Sequence, residues 1–277
     1  MWVIGLNSLI VQPVFPGNFK LTGKVKASGS VQSLVNDKAT SLRKDANGNN
    51  IWERDENDNI IHSNLTAGSF PGLFATWINT SNSTALISAP ELPATGLISE
   101  CYNNMFYGCT SLTKAPELPA TNLTDGCYWG MFEGCSSLSS APELPATNLA
   151  EYCYESMFRN CTSLTSASKL PATILADGCY AHMFQGCTSL ISAPELPAPT
   201  VVDICYAYMF TDCTNLNYIK VGLTDWVGSV NTGTIPTDWW VAGVSPTGTF
   251  ECPEALVSSE IKYSNSYIHN GWTVKTY

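Results

Sequence analysis

Charged side chains are scarce in this sequence. Asp, Glu, Lys and Arg make up 13% of the 277 residues, and 13 basic residues face 23 acidic ones, for a net charge of -10. Nucleic acids and anionic membranes are bound by clustered Lys and Arg, so the composition argues against both partners. Long apolar runs are also missing. No stretch approaches the roughly 18 apolar residues of a membrane span, so no membrane insertion is expected.

Sequence signals for export and for catalysis are missing as well. Residues 1–13 are apolar but lack the basic start and the small-residue cleavage site of a signal peptide. Either the protein is not exported by that route, or it is a mature fragment with a new Met1. The three histidines, His62, His182 and His269, lie in different regions, and no HExxH, phosphate loop or GxSxG motif occurs. The sequence therefore predicts no enzyme, no cofactor and no metal site.

Comparison of the chain with itself reveals a repeat of 26 residues, seen for example in GCYWGMFEGCSSLSSAPELPATNL over residues 126–149. Each unit holds two cysteines eight residues apart, and the same register aligns a tyrosine, a Met-Phe pair and a leucine. The cysteines are Cys101, Cys127, Cys153, Cys179 and Cys205, followed by Cys109, Cys135, Cys161, Cys187 and Cys213. Such a period is the signature of a solenoid, in which each coil buries its apolar face against its neighbours.

The repeated cysteines have a structural and a chemical interpretation. A catalytic or metal-binding pair would be expected once, beside a histidine or carboxylate, whereas this pair occurs five times with the same neighbours. Equivalent residues of stacked coils lie about 4.8 Å apart, which would permit disulfides between adjacent coils, but a column of five cannot pair completely. We expect free, buried thiols that pack as small apolar groups.

Three regions are predicted: a β-rich amino-terminal domain over 1–85, a repeat solenoid over 86–220 and a carboxy-terminal cap over 221–277. Within a coil, Ser137 to Ala141 is expected to form a short strand. The following PELP run is expected to be extended and polyproline-like, because proline lacks the amide donor of a ladder. The Tyr-x-x-Met-Phe segment is expected to form a short helical turn. Glu91, Glu117, Glu143 and Glu195 share one position with Lys169, which favours a solvent-exposed row over a cation-binding stripe.

Two segments outside the repeats allow a second interpretation. Asp45, Asn47, Asn49, Glu53 and Glu56 occupy positions 1, 3, 5, 9 and 12 of a calcium loop. The alternative is a pair of β-turns in a meander, favoured because Asn50 replaces the loop glycine. The aromatic residues of the last region suggest either a solenoid cap or a sugar-binding platform; they are Trp226, Trp239, Trp240, Phe250 and Trp272.

Candidate binding residues are those that vary between otherwise constant coils, because packing accounts for the constant ones. Mixed aromatic, amide and charged groups are typical of protein or glycan recognition. Unselected surface variation would look the same. The predicted ligand-binding residues are Asn103, Asn104, Tyr107, Trp129, Glu133, Glu155, Arg159, His182, Gln185 and Tyr208.

The tandem motif CYxxMFxGCTSLxxAPELPAT, over about residues 86–220, resembles the BspA-like leucine-rich repeats of Bacteroides-type surface proteins. Its Cys-Thr-Ser-Leu matches the Cys-x-x-Leu signature, and its Met-Phe pair stands where Ala-Phe is commoner. The ending, with WWVAGVSPTGTFECP and GWTVKTY, also resembles proteins of that bacterial group and its phages. The resemblance implies a right-handed leucine-rich repeat solenoid without cofactor.

Three functions follow from these observations. The resemblance implies a non-catalytic recognition or adhesion protein at the cell surface or outside the cell, which binds a protein or a glycan. A phage tail or receptor-binding protein of the virion is the first alternative, since release by lysis needs no signal peptide. A structural spacer that holds the end regions apart is the second.

Overall fold

The computed structural model describes residues 86–89, 92, 94–226, 237–258 and 267–277, together with the backbone of five short strands among the first 51 residues. These strands are β1 (Trp2–Gly5), β2 (Leu9–Val11), β3 (Val25–Ser28), β4 (Arg43–Lys44) and β5 (Asn50–Ile51). The later elements are β6 (Leu86–Ser88), β7 (Tyr218–Lys220), β8 (Thr249–Cys252), α1 (Glu254–Ser258) and β9 (Thr273–Thr276).

Three amino-terminal strands share a sheet with the first strand of the repeat region. β1 pairs antiparallel with β2 and β3, and β3 pairs parallel with β6, giving the sheet order β2-β1-β3-β6. β4 and β5 pair antiparallel on either side of residues 45–49. The side chains of the proposed calcium loop, over 45–56, lie outside the described residues. That alternative, like the domain boundaries at 85 and 220, stays a prediction.

One side of each coil is a run of tight turns, which we call the turn wall: residues 99–109, 125–135, 151–161, 177–187, 203–213 and 237–244. Alternate amides bond across coils, as when Tyr102 N donates to Cys127 O and Asn104 N donates to Trp129 O, at 3.0 and 2.7 Å. The intervening amides bond three residues back, as when Met105 N donates to Tyr102 O at 3.1 Å. Over residues 100–109, 126–135, 152–161 and 178–187, every backbone donor therefore serves either its own turn or the next coil.

The predicted short helical turn in this segment is wrong. Every fourth residue of the turn wall has a positive φ, for example 54° at Asn104, 58° at Gly130 and 73° at Gly134. An α-helix excludes that conformation and directs its amides along its own axis. Here half of the amides point along the solenoid, so stacking of coils replaces the helical hydrogen bonds.

The second side of each coil, which we call the PELP wall, spans residues 112–120, 138–146, 164–172 and 190–198. The predicted strand over 137–141 is reduced to single parallel bridges, such as Ser140 with Ser166 and Ser192 with Tyr218. Proline at 142 removes the amide that a longer ladder needs. Lys220 stands at that position in the last repeat, and there the ladder extends into β7. In the predicted exposed row, Glu117, Glu143, Lys169 and Glu195 are exposed, and Glu91 lies outside the described residues.

Two aromatic stacks fill the core along the solenoid. Tyrosines 102, 128, 154, 180 and 206 form one stack and phenylalanines 106, 132, 158, 184 and 210 form the other, with neighbouring ring centroids 5.5 to 6.0 Å apart. All of these side chains are at most 1% exposed. Stacked aromatic pairs contribute about 0.5–1.5 kcal/mol each beyond burial, so each coil depends on both neighbours.

The cysteines pack beside these rings as free thiols. All eleven, including Cys252, are buried and unbridged, which confirms the structural interpretation. In the second column the thiols of Cys135, Cys161, Cys187 and Cys213 each donate to a phenylalanine carbonyl of the preceding coil; Cys161 Sγ, for example, lies 3.1 Å from Phe132 O. Burial raises the pKa of Cys213 to about 12, so these thiols carry no reactive thiolate near neutral pH.

Coil stacking continues past the last sequence repeat. The turn wall of the fifth unit bonds onward to residues 238–242, as when Phe210 N donates to Trp240 O at 2.9 Å. On the other side, β7, β8 and β9 form a parallel ladder in which Tyr218 pairs with Thr249 and Thr249 with Thr273. Residues up to 276 thus extend the array.

Candidate recognition surface

The ten predicted binding residues lie on the turn wall, in five consecutive coils. Their columns follow one another along the solenoid because each coil repeats the same turns. Asn103 is buried and its amide oxygen accepts a hydrogen bond from the Asn104 side chain, so it supports Asn104 and offers little surface itself. Trp129 is 39% exposed and is the most exposed large apolar side chain of the ten.

A charged cluster occupies the middle of the wall. Arg159 Nη1 lies 3.5 Å from Glu133 Oε1, and the Glu133 side chain is 15% exposed against 40% for Arg159. Burial raises the pKa of Glu155 to about 7; the Glu133 carboxylate raises it further and Arg159 opposes the shift. Burial also raises the pKa of Glu133, again opposed by Arg159. The cluster thus combines one guanidinium, that of Arg159, with the two half-buried carboxylates of Glu133 and Glu155, so it contains fewer basic than acidic groups.

A polar aromatic group follows in the next two coils. His182 Nδ1 lies 2.8 Å from Gln185 Oε1, and the His182 and Tyr208 rings stack with centroids 4.7 Å apart and planes at 2°. Burial lowers the pKa of His182, the bond to Gln185 opposes this, and Arg159 lowers it further. His182 is therefore neutral at pH 7. The stacked faces of the His182 and Tyr208 rings cover each other, which leaves the polar edges of both rings for a ligand.

Two exposed aromatic residues of the same wall are absent from the ten predicted binding residues: Tyr152, which is 38% exposed, and Trp239, which is 50% exposed and was assigned to the last region. Tyr152 belongs to a further varying column, at positions 100, 126, 152, 178 and 204, and that variation was the available signal. Trp239 continues the column of His182 and Tyr208: it has the same positive φ, and Tyr208 N donates to Asp238 O at 2.7 Å.

The sugar-platform interpretation of the last region is wrong for four of its five aromatic residues. Trp226, Trp240, Phe250 and Trp272 are at most 4% exposed. The indole amide of Trp240 donates to Tyr267 O and that of Trp272 to Ser245 O, both at 2.7 Å. These rings close the end of the core, and Trp239 alone of the five reaches solvent.

Nothing in the described part of the chain resembles a metal centre, since no three His, Cys, Asp or Glu side chains there are grouped to hold an ion. None of the helices in the same part of the chain has the length and apolarity to cross a bilayer.

The repeat architecture is matched by a known family. The BspA type leucine-rich repeat region matches in six copies, over residues 81–191 and 128–226. The chain belongs to this family. Its members in general act in protein interaction at surfaces and are typically non-catalytic. No curated protein and no solved structure matches the chain.

Family membership fits the arrangement of constant and varying positions within each coil. The positions that match between units are the buried Cys, Tyr, Met, Phe and Leu of the core. The larger side chains at the varying positions of the turn wall, such as Trp129, Arg159 and Tyr208, reach solvent, whereas Asn103 and Ser156 are buried. A leucine-rich repeat presents its ligand-binding chemistry in this way, on a surface whose backbone is fixed by the constant residues.

Proposed function

We propose that this protein is a non-catalytic recognition protein that acts at the cell surface or outside the cell and binds a protein or a surface glycan through the turn wall. The observation that carries the proposal is the exposed set around Trp129, Arg159 and Tyr208, held on one rigid wall of stacked coils. Core packing does not require these side chains. Equivalent positions in other coils carry alanine in the Trp129 column, glycine or serine in the Tyr208 column, and tyrosine, glutamate, glutamine or threonine in the Arg159 column.

Two features of the wall favour a protein over a sugar as ligand. Aromatic residues and arginine are the commonest anchors of protein interfaces, and Trp129 and Arg159 supply one of each in adjacent coils. Sugars stack on open ring faces, whereas His182 and Tyr208 cover each other. Adhesion to another cell or to matrix is the role that such a surface would serve.

A binding screen tests the proposal. Labelled protein is applied to intact Bacteroides-type bacteria, to mucin and to matrix proteins, and bound label is measured for the parent and for Trp129→Ala and Arg159→Ala. Ile174→Ala and Lys169→Ala are the matched controls, because both side chains are exposed and lie outside the turn wall. Anchor residues contribute more than about 1 kcal/mol each, so each turn-wall variant should bind at least about fivefold more weakly.

The controls should bind like the parent. Equal binding by all five proteins would show that the turn wall is not the recognition surface. Retained binding by both turn-wall variants with loss of binding on removal of an end region would instead support a spacer.

A further inference from the structure

Negative charge is concentrated on the turn wall. Its residues include nine acidic side chains and a single basic one, Arg159. The acidic residues are Glu100, Asp125, Glu133, Glu151, Glu155, Asp177, Asp203, Asp212 and Asp238. The PELP wall of the same coils is nearly balanced, with three acidic and two basic side chains. The two walls therefore present different electrostatic surfaces, although they are built from the same repeats.

Four of the nine acidic side chains of the turn wall are exposed and available to a partner. Glu100, Asp125, Glu151 and Asp212 are all exposed. The one guanidinium is already engaged by Glu133 at 3.5 Å, and His182 adds no charge, because burial lowers its pKa.

The repeat places like charges next to one another on the turn wall. Asp125, Glu151 and Asp177 share one position in consecutive coils, and the backbone bonds between these coils, such as Gly126 N to Glu151 O at 2.9 Å, keep them adjacent. Equivalent residues of stacked coils lie about 4.8 Å apart, and like charges at that distance are unfavourable. A cationic partner would relieve this repulsion along the whole column.

Exposed aromatic rings lie among these carboxylates. Trp129, Tyr152 and Trp239 are 39%, 38% and 50% exposed. They are half of the six exposed large hydrophobic residues in the described part of the chain. Acidic groups around exposed Trp and Tyr match the long apolar stems and charged ends of Lys and Arg, which pack against such rings.

We propose that the turn wall binds a basic segment of a partner protein, with Lys and Arg side chains that meet the acidic column and pack against Trp129 and Tyr152. This inference rests on the proposed recognition function and names the chemistry of its partner. Electrostatic complementarity of this kind speeds association and selects the partner, and it weakens as salt rises.

Selection from a random 12-residue peptide library tests the inference. Peptides that bind the parent protein are sequenced and synthesised, and their affinities are measured for two double variants. Asp125→Asn with Glu151→Gln removes two charges from adjacent coils of the turn wall. Glu117→Gln with Glu143→Gln removes two charges from adjacent coils of the PELP wall. All four side chains are exposed. The two variants therefore have the same net charge and differ only in which wall has lost two carboxylates.

Selected peptides should hold several Lys or Arg for each Asp or Glu. Exposed ion pairs contribute about 0.2–1 kcal/mol each, so the turn-wall double variant should bind them about 2- to 30-fold more weakly. The PELP-wall double variant should stay within twofold of the parent, and affinity should fall as NaCl is raised. Thermal unfolding of both variants checks that each is folded.

The outcomes separate this inference from the proposed function. Peptides without basic enrichment that still lose affinity with Trp129→Ala would overturn the basic partner and leave the recognition surface standing. Equal weakening by both double variants would also overturn it, because net charge alone would then explain binding. Failure to obtain any peptide whose affinity depends on the turn wall would overturn both proposals.

Discussion

Replacement of Gly178 by alanine tests how closely neighbouring coils approach on the turn wall. Gly178 has a φ of 61°, and a Cβ at this position would overlap Cδ1 and Cε1 of the Tyr152 ring in the preceding coil. Gly134 provides the matched comparison. Its φ is 73°, but a Cβ there would meet only Gly108 Cα, at an ordinary 3.4 Å. The two substitutions therefore share the backbone conformation and differ in the steric contact.

The expected magnitudes follow from this difference. A left-handed conformation costs an alanine about 1–2 kcal/mol, so Gly134→Ala should lower the free energy of unfolding by that amount. Gly178→Ala should lose about a further 1 kcal/mol, because the partly exposed Tyr152 ring must leave its preferred rotamer to make room for the new Cβ. In a Tyr152→Ala background the ring is gone, and the loss caused by Gly178→Ala should fall to that of Gly134→Ala.

Urea unfolding of the four proteins in this double-mutant cycle measures the coupling, with Gly134→Ala alongside. A coupling of at least about 1 kcal/mol between Gly178→Ala and Tyr152→Ala is expected, well above the usual error of about 0.5 kcal/mol. Unchanged m-values are required, because the coils must unfold as one unit for the comparison. Equal losses in both backgrounds would refute the placement of Tyr152 over Gly178, and a neutral Gly134→Ala would refute the positive φ.

Two further predictions concern ionisable groups. Burial raises the pKa of Glu155 to about 7, so between about pH 4.5 and 7 the folded protein holds a proton on this carboxyl that the unfolded protein lacks. The free energy of unfolding should therefore fall as pH rises through this range. NMR titration should place the carboxyl near 7, Glu155→Gln should flatten the pH dependence of urea unfolding, and a titration near 4.5 would contradict the burial. The eleven buried thiols should resist a thiol reagent at pH 8 in the folded protein and all react after unfolding in denaturant. Rapid labelling of Cys161 in the folded state, measured by mass spectrometry, would contradict its burial.

The repeat, the free thiols and the exposed glutamate row were predictable because each depends on a column of identical or similar residues. A residue that recurs every 26 positions meets its own copies, so sequence alone tells what it contacts. The turn geometry was not predictable in this way. Positive φ is typical of glycine, as at Gly126 and Gly178, but the same column also carries Glu100, Tyr152 and Ile204. At Glu100 and Tyr152, hydrogen bonds to the next coil hold a conformation that local preference disfavours.

The end of the array shows why its surface is harder to predict than its core. Tyr218 pairs with Thr249, a spacing of 31 residues where the repeat has 26, so a search for fixed periods stops before Trp239. The core tolerates this change because Trp240 fills the space where both stacks end, with ring centroids 6.2 Å from Tyr206 and 6.1 Å from Phe210. Packing therefore continues after the sequence repeat is lost. Surface positions have no such requirement, and only the hydrogen-bond register reveals that Trp239 continues the column of His182 and Tyr208. A recognition surface on this solenoid is therefore identified from backbone register first and from residue identity second.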